Sequence, residues 1–286
     1  MWFFSSPASV NPMSRLWLPE HLSGSSQVVD SQGFIINAGA LYLGPDMKTT
    51  IHALHNYKIY IAVYGDFDLH LTGGRAFRSC TAVVIAPDRP HRIISRGVMC
   101  AAFYLVPETA EGRRVSRFFA GKEVFAPPSK VLAAILPPLR NYLEYGCSVE
   151  EANDVSNYLF NNLTPNGDAG VTLDGRVIRA LEHLDSRMGH YVRITEVANE
   201  VALSLSRLEH LFKEQVGISI SRYRLWSRTR AALMLMATRM PLTRVALEAG
   251  FSDSAHLSRT FRQMIGISPS TLLRTTRLYQ SDIETT

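Results

Sequence analysis

Cysteine is scarce in this 286-residue chain, and its three copies, Cys80, Cys100 and Cys147, stand far apart. No C-x-x-C pair is present, which argues against a zinc site and against a methyl-accepting cysteine cluster. A disulfide framework is excluded as well, and the three residues read as small core hydrophobes of a reducing compartment, the cytoplasm. Long apolar runs are also missing. The longest, Val98 to Val106, is nine residues and stops at Pro107, well short of the ~20 that a membrane-crossing helix needs. The opening run from Met1 to Phe4 is short, uncharged and soon halted by Pro7, so it does not make a secretory leader. Acidic residues are rare in one stretch: Gln215 to Arg277 holds ten arginines against Glu248 and Asp253.

That last scarcity is informative. Met1 to Gly170 carries 14 basic and 14 acidic residues, whereas Val171 to Thr286 carries 16 and 11, so the whole net charge of +5 belongs to the C-terminal part. Arginine-rich charge gathered on one domain is the electrostatic footprint of a nucleic-acid binder, and a solvated helical surface is the bland alternative. A length of 286 residues suggests about two domains.

What is there in abundance is a pattern written twice. Thr195 to Ser204, then Leu208, Phe212-Lys213 and Gly217-Ile218-Ser219, is repeated by Thr243 to Ser252, then Leu257, Phe261-Arg262 and Gly266-Ile267-Ser268. The offset is 48 up to the turn and 49 from Leu208/Leu257 onward, a slip of one residue. Two copies are too few for a stacked array and read as tandem helical modules. Each has the grammar of a helix, a tight turn and a second helix. In the second, Thr243 is expected to cap the first helix, Gly250 to take the positive φ at its end, and Ser252 or Asp253 to cap the next. Leu257, Phe261 and Ile265 at i, i+4, i+8 mark its buried stripe. The opposite faces offer Ser206, Arg207, Glu209, His210 and Lys213 in the first module. In the second they offer Ser254, Ala255, His256, Arg259 and Arg262. In a DNA-reading helix-turn-helix that outer face enters the major groove.

The run Gly250 to Arg262 (GFSDSAHLSRTFR), followed by Gly266-Ile267-Ser268-Pro269, resembles the signature of AraC/XylS-type transcription regulators. Leu208, Leu211-Phe212-Lys213, Gly217-Ile218-Ser219, Tyr223, Arg228 and Ala232 are similar to the matching upstream part. The likeness covers Asp174 to Arg274, with Ala202 standing where members often carry Gly. It implies double-stranded DNA at a promoter as partner, a homodimer, and RNA polymerase contact if the protein is an activator. The segment Ile220 to Met236 joins the modules, with Arg222, Arg224, Arg228 and Arg230 as possible phosphate contacts.

The N-terminal part reads as β. Residues 34–36, 41–43, 58–64, 67–71, 81–85 and 99–106 are β-branched and aromatic runs separated by Gly- and Pro-rich turns. His55, ten residues before Gly65, and the Ala86 to His91 stretch (APDRPH) resemble the two half-motifs of the small cupin barrel of many AraC-type regulators, over residues 15 to 107. Imidazoles at 52, 55 and 91 raise a metal reading, but residues three apart point to opposite strand faces, and no acid lies between His52 and Gly65. No metal or cofactor is therefore assigned. His55 and His91 remain either turn partners at the barrel mouth or contacts to an organic effector, with Tyr57, Tyr60, Tyr64, Arg89 and Arg92 as companions.

The resulting expectation is an α+β protein. Residues 1–127 form a cupin-like, effector-sensing barrel, and 128–163 form accessory helices, kinked or split at Pro137-Pro138, that either cover the barrel or, as the family resemblance implies, pair with a second copy. Residues 164–170 are a linker. Residues 171–286 form an all-α domain with two helix-turn-helix modules, its first helix capped by Asp174 with Val177, Ile178, Leu181 and Leu184 on the apolar stripe. The expected function is a DNA-binding regulator rather than an enzyme, an activator under small-molecule control. A metal-dependent cupin enzyme with a DNA-binding appendage, and an effector-independent DNA binder, are the alternatives.

Overall fold

The computed structural model describes residues 31–164 and 172–280, apart from 37, 96, 120 and 191. Most of the expected linker, and residues 15–30 of the cupin likeness, fall outside them. The N-terminal part is two facing sheets. One has seven strands in the order β10-β1-β2-β8-β3-β6-β9 and the other three in the order β5-β4-β7. Their bounds are β1 Ser31–Ile36, β2 Gly39–Pro45, β3 Tyr57–Tyr64, β4 Phe67–Leu71, β5 Ala76–Cys80, β6 Ala82–Ile85, β7 His91–Ser95, β8 Met99–Leu105, β9 Val124–Phe125 and β10 Thr276–Gln280.

Alternation along β3 and β8 explains the layering. Ile59, Ile61, Ala101 and Phe103 face a helical layer, whereas Tyr60, Ala62, Cys100 and Ala102 face the second sheet with Phe67, Leu69 and Ile93. Strands buried on both faces read as unbroken apolar runs, as Ile59 to Tyr64 does. The helical layer comprises α1 (Ala110–Phe119), α2 (Ser129–Tyr145) and α3 (Val149–Asn162). It packs through Val115, Ile135, Leu139, Leu159 and Phe160. Of the kink or split expected at Pro137 and Pro138, the split does not occur, and α2 runs through both. The carbonyls they leave without a donor belong to Ala133 and Ala134, which are exposed, so water can take the place of the lost N–H groups.

The C-terminal domain is helical: α4 (Gly175–Ser186), α5 (Ile194–Glu200), α6 (Leu205–Val216), α7 (Ile220–Ala237), α8 (Leu242–Glu248), α9 (Ser254–Ile265) and α10 (Pro269–Thr275). Asp174 caps α4 as expected, through the Arg176 N–H. Ile178 is exposed, however, and Ala180 fills the stripe with Val177, Leu181 and Leu184. Two cores form. One joins α4, α5 and α6 to the first half of α7 through Ile220, Tyr223 and Trp226; the other joins α8, α9 and α10 to its second half through Ala231, Ala232 and Met236. One 18-residue helix therefore belongs to both modules, about 27 Å of continuous rod.

Among the described residues the domains are tied at several places, three of them polar or main-chain. Strand β10, which follows α10, adds in parallel to the edge of β1, with Tyr279 stacked on Phe34 at 5.2 Å. Gly33 leaves room for it, since a Cβ there would lie 2.8 Å from Leu278 Cδ2. The Thr50 N–H and hydroxyl both donate to the Gly266 carbonyl at 3.1 Å. Arg222 at the start of α7 pairs with Asp88 at 2.8 Å.

Candidate nucleic-acid interface

The two modules are built alike. Helices α5 and α8 are seven residues each, and α6 and α9 are twelve. Helix α8 starts after Pro241, so Thr243 lies in its first turn and does not cap it; Pro241 sets φ for helix entry without needing a donor. In each turn the residue after the helix cap adopts positive φ, Ala202 at 54° and Gly250 at 80°. The next residue folds back, Leu203 N–H to Ala198 O at 2.9 Å and Phe251 N–H to Ala246 O at 2.8 Å. Ser204 and Asp253 then cap the second helices, each accepting the N–H of the third helical residue, Arg207 and His256. Both second helices end on a left-handed glycine, Gly217 and Gly266.

This scaffold presents the expected reading residues to solvent. Ser206, Arg207, Glu209, His210 and Lys213 are exposed on α6. Ser254, Ala255, Arg259 and Arg262 are exposed on α9, while His256 is half-buried, its ring edge-on to Phe251 at 5.2 Å. Their backs are anchored by Leu208 and Phe212, and by Leu257 and Phe261. The faces differ in charge. His210 lies 4.0 Å from Glu214 and next to Glu209, whereas Arg259 and Arg262 share α9 with no acid.

Two arginines of α7 pair with the protein's own carboxylates. Arg222 reaches Asp88, and Arg230 lies 3.6 Å from Asp185, whose carboxylate also receives the Tyr223 hydroxyl at 3.1 Å. Arg228 lies beside the Gly250 turn.

The seven residues expected around an effector do not converge on one cavity. His55, Tyr57 and Arg89 line a polar cavity of about 400 Å³ beside the first module, with Asp88, Glu108 and Gln215. Tyr60 is enclosed between the sheets with its hydroxyl on Asp46 at 2.8 Å, and Tyr64 faces the helical layer under Arg140. His91 is buried against His52, and Arg92 is exposed. Strand alternation sends them apart, Tyr57 to the helical side and Tyr60 to the inner side.

His55 donates to two carboxylates, Asp88 at 2.6 Å and Glu108 at 2.7 Å. Burial alone lowers its pKa, but the hydrogen bonds and charges of Asp88 and Glu108 prevail and raise it to about 9. His52 and His91 behave oppositely. Burial, followed by the charge of Lys58, brings His52 down to about 3 and His91 well below the usual imidazole range. Among the described residues no group of three or more His, Cys, Asp or Glu could hold a metal ion.

A second, mainly apolar cavity of about 270 Å³ lies between the domains. Its walls include Ile35, Ala40, Tyr42 and Tyr104 from the sheet, and Trp226, Arg230 and Leu233 from α7. Thr276 and Leu278 of β10 close one side. Sequence reasoning missed it because its walls come from many distant segments and carry no motif.

Residues 197–275 match the family described as the helix-turn-helix domain. Over 100 residues the chain is 40% identical to the arabinose operon regulatory proteins of Salmonella typhimurium and Escherichia coli K12, a stretch that covers 34% of this chain and 36% and 34% of those proteins. The chain thus spans about a third of the length of the curated relatives it matches. Across 86% of the chain the fold is similar to ToxT from Vibrio cholerae O395, with a TM-score of 0.54, 12% identity and 96% of that chain covered. It is also similar to wild-type ToxT bound to an unsaturated fatty acid, with a TM-score of 0.51, 13% identity, and coverage of 86% and 94%. No helix of the described residues is long and apolar enough to cross a membrane.

Proposed function

We infer that this chain, whose C-terminal domain is of the AraC/XylS helix-turn-helix type, is a sequence-specific transcription regulator. The observation that carries the reading is the sharing of α7 by two like-built modules, each with an exposed second helix. Such an arrangement addresses two neighbouring major-groove segments of one duplex. The base contacts are assigned to Ser206, Arg207, Glu209 and His210, and to Ser254, Ala255, His256 and Arg259. Lys213 and Arg262 are assigned to phosphates. Regulation is activating and acts through RNA polymerase, and the helical layer of α2 and α3, where Tyr145 and Tyr158 are exposed, serves homodimerisation.

The effector is assigned to the apolar interdomain cavity. A ligand there touches the sheet on one side and α7, the rod that spaces the two readers, on the other. Its chemistry is mostly hydrocarbon, with Arg230 and Asn56 among the polar wall residues. The fatty acid in the similarly folded ToxT supports an apolar acid as the class to try first. Selection of bound sequences from random duplex DNA, with and without unsaturated fatty acids, tests both parts. A two-part motif whose enrichment changes with the acid is the expected result. An absence of any enriched motif contradicts DNA reading, and an unchanged motif together with no thermal stabilisation contradicts the cavity.

A further inference from the structure

The one-residue slip in the repeat has a structural location. Leu203 and Phe251 are equivalent at an offset of 48, and the caps Ser204 and Asp253 at an offset of 49. The residue between Phe251 and Asp253 is Ser252, and the first module has nothing in its place. Ser252 donates its hydroxyl proton to Asp253 Oδ2 at 2.9 Å. The other oxygen of Asp253 takes the His256 N–H at 2.7 Å. That backbone bond, with the Ser252 hydroxyl second, holds the carboxyl below its ordinary range, so it is an acceptor only.

With its proton committed to Asp253, the Ser252 oxygen meets His256 Nδ1, 3.2 Å away, as an acceptor. The uncharged imidazole then carries its proton on Nδ1 and a lone pair on Nε2. No described residue is bonded to Nε2, and packing on Phe251 fixes the ring's direction. His256 is the third residue of α9, within the N-terminal part of a reading helix that approaches base edges.

We propose that His256 is a specificity determinant that reads an exocyclic amine, adenine N6 or cytosine N4, through Nε2, and that Ser252 is the positioning residue that keeps it an acceptor. Phosphate oxygens, guanine O6 and N7 and thymine O4 are themselves acceptors, so they offer Nε2 no proton. Arg207 holds the equivalent place in the first module and is a donor only. The two modules therefore show opposite hydrogen-bond polarity at one repeat position. The assignment rests on the DNA reading above.

The test is selection from random duplex DNA with the full-length protein, its Ser252→Ala, Ser252→Thr and His256→Ala forms, followed by single-atom editing of the selected site. Ser252 is exposed, so the alanine form keeps the fold. Ser252→Ala loses preference at one base pair by roughly fivefold, the worth of a neutral hydrogen bond. Preferences elsewhere and the non-specific affinity stay as they were, and Ser252→Thr restores the lost preference. His256→Ala loses preference at the same base pair. Removing the amine there, with purine for adenine or 2-pyrimidinone for cytosine, weakens the wild type by the same factor and leaves Ser252→Ala unmoved. A motif indifferent to Ser252, or a site sensitive to 7-deazapurine but not to amine removal, overturns the assignment while DNA reading stands. Failure of the wild type to enrich any sequence overturns both.

Discussion

In the first module the turn is made by Ala202 at a φ of 54°, and in the second by Gly250 at 80°. A left-handed L-residue costs about 1–2 kcal/mol that glycine avoids. Ala202 tolerates the position because its methyl is exposed, whereas a Cβ at Gly250 would lie 2.6 Å from the Gly189 carbonyl. The modules are also tied down differently. The first is held to the sheet domain by a charged chain, Arg222–Asp88–His55–Glu108. The second is held by neutral hydrogen bonds, from the Thr50 N–H and hydroxyl to Gly266 and through the β1–β10 pairing. Equal backbones can thus be reached with unequal strain and anchored with unequal chemistry, and that inequality is open to experiment.

The largest expected effect concerns the charged anchor. The folded pKa of His55 is raised from 6.5 to about 9. Its contribution is therefore complete below pH 6.5 and disappears as pH rises through 9, a change on the order of 3 kcal/mol. Between pH 6.5 and 9.5 His55→Gln should lose the downward contribution to Tm that the wild type shows, leaving the opposite, upward contribution of buried Lys58, whose pKa is lowered to about 8. Next is the turn. Gly250→Ala should destabilise by at least about 2 kcal/mol, while Ala202→Gly should stabilise by about 0.5–1 kcal/mol, both read from denaturant midpoints. Changes of equal size and opposite sign would instead show the two turns to be equivalent.

Reading comes third. Arg259 and His210 hold the same repeat position, but Arg259 can engage guanine in two bonds. Arg259→Ala should weaken specific binding by about 1–3 kcal/mol, and His210→Ala by less than about 1 kcal/mol, in competition assays at matched salt. Equal losses in specific and non-specific binding would reduce Arg259 to a phosphate contact. The smallest effect sharpens the likeness instead. Lys213→Ala and Arg262→Ala, also equivalent, should each lower the salt slope of DNA binding by about one unit.

The repeat made the C-terminal domain legible because a helix-turn-helix writes its caps, glycines and apolar stripe locally. Even the slip was visible, although its meaning depended on seeing Asp253, not Ser252, become the cap. The sheet domain was legible where strands are long and buried, as in β3, β4 and β8. Strand β5, exposed at its edge, lacks an apolar pattern, and β10 reads as a tail because its partner, β1, lies more than 240 residues earlier. His55 and His91 were singled out together, yet the fold pairs His91 with His52 and gives His55 to two carboxylates. Residue type signalled polarity there, and only the long-range hydrogen bonds decide the company each imidazole keeps.

Hydroxyl-radical footprinting of a selected site by the full-length protein tests the core of the account most directly. Two readers on one rod predict two protected patches on the same face of the duplex, centred about one helical turn, 10–10.5 base pairs, apart. His210→Ala should fade one patch slightly and Arg259→Ala the other strongly. A single patch, or two on opposite faces, would contradict it.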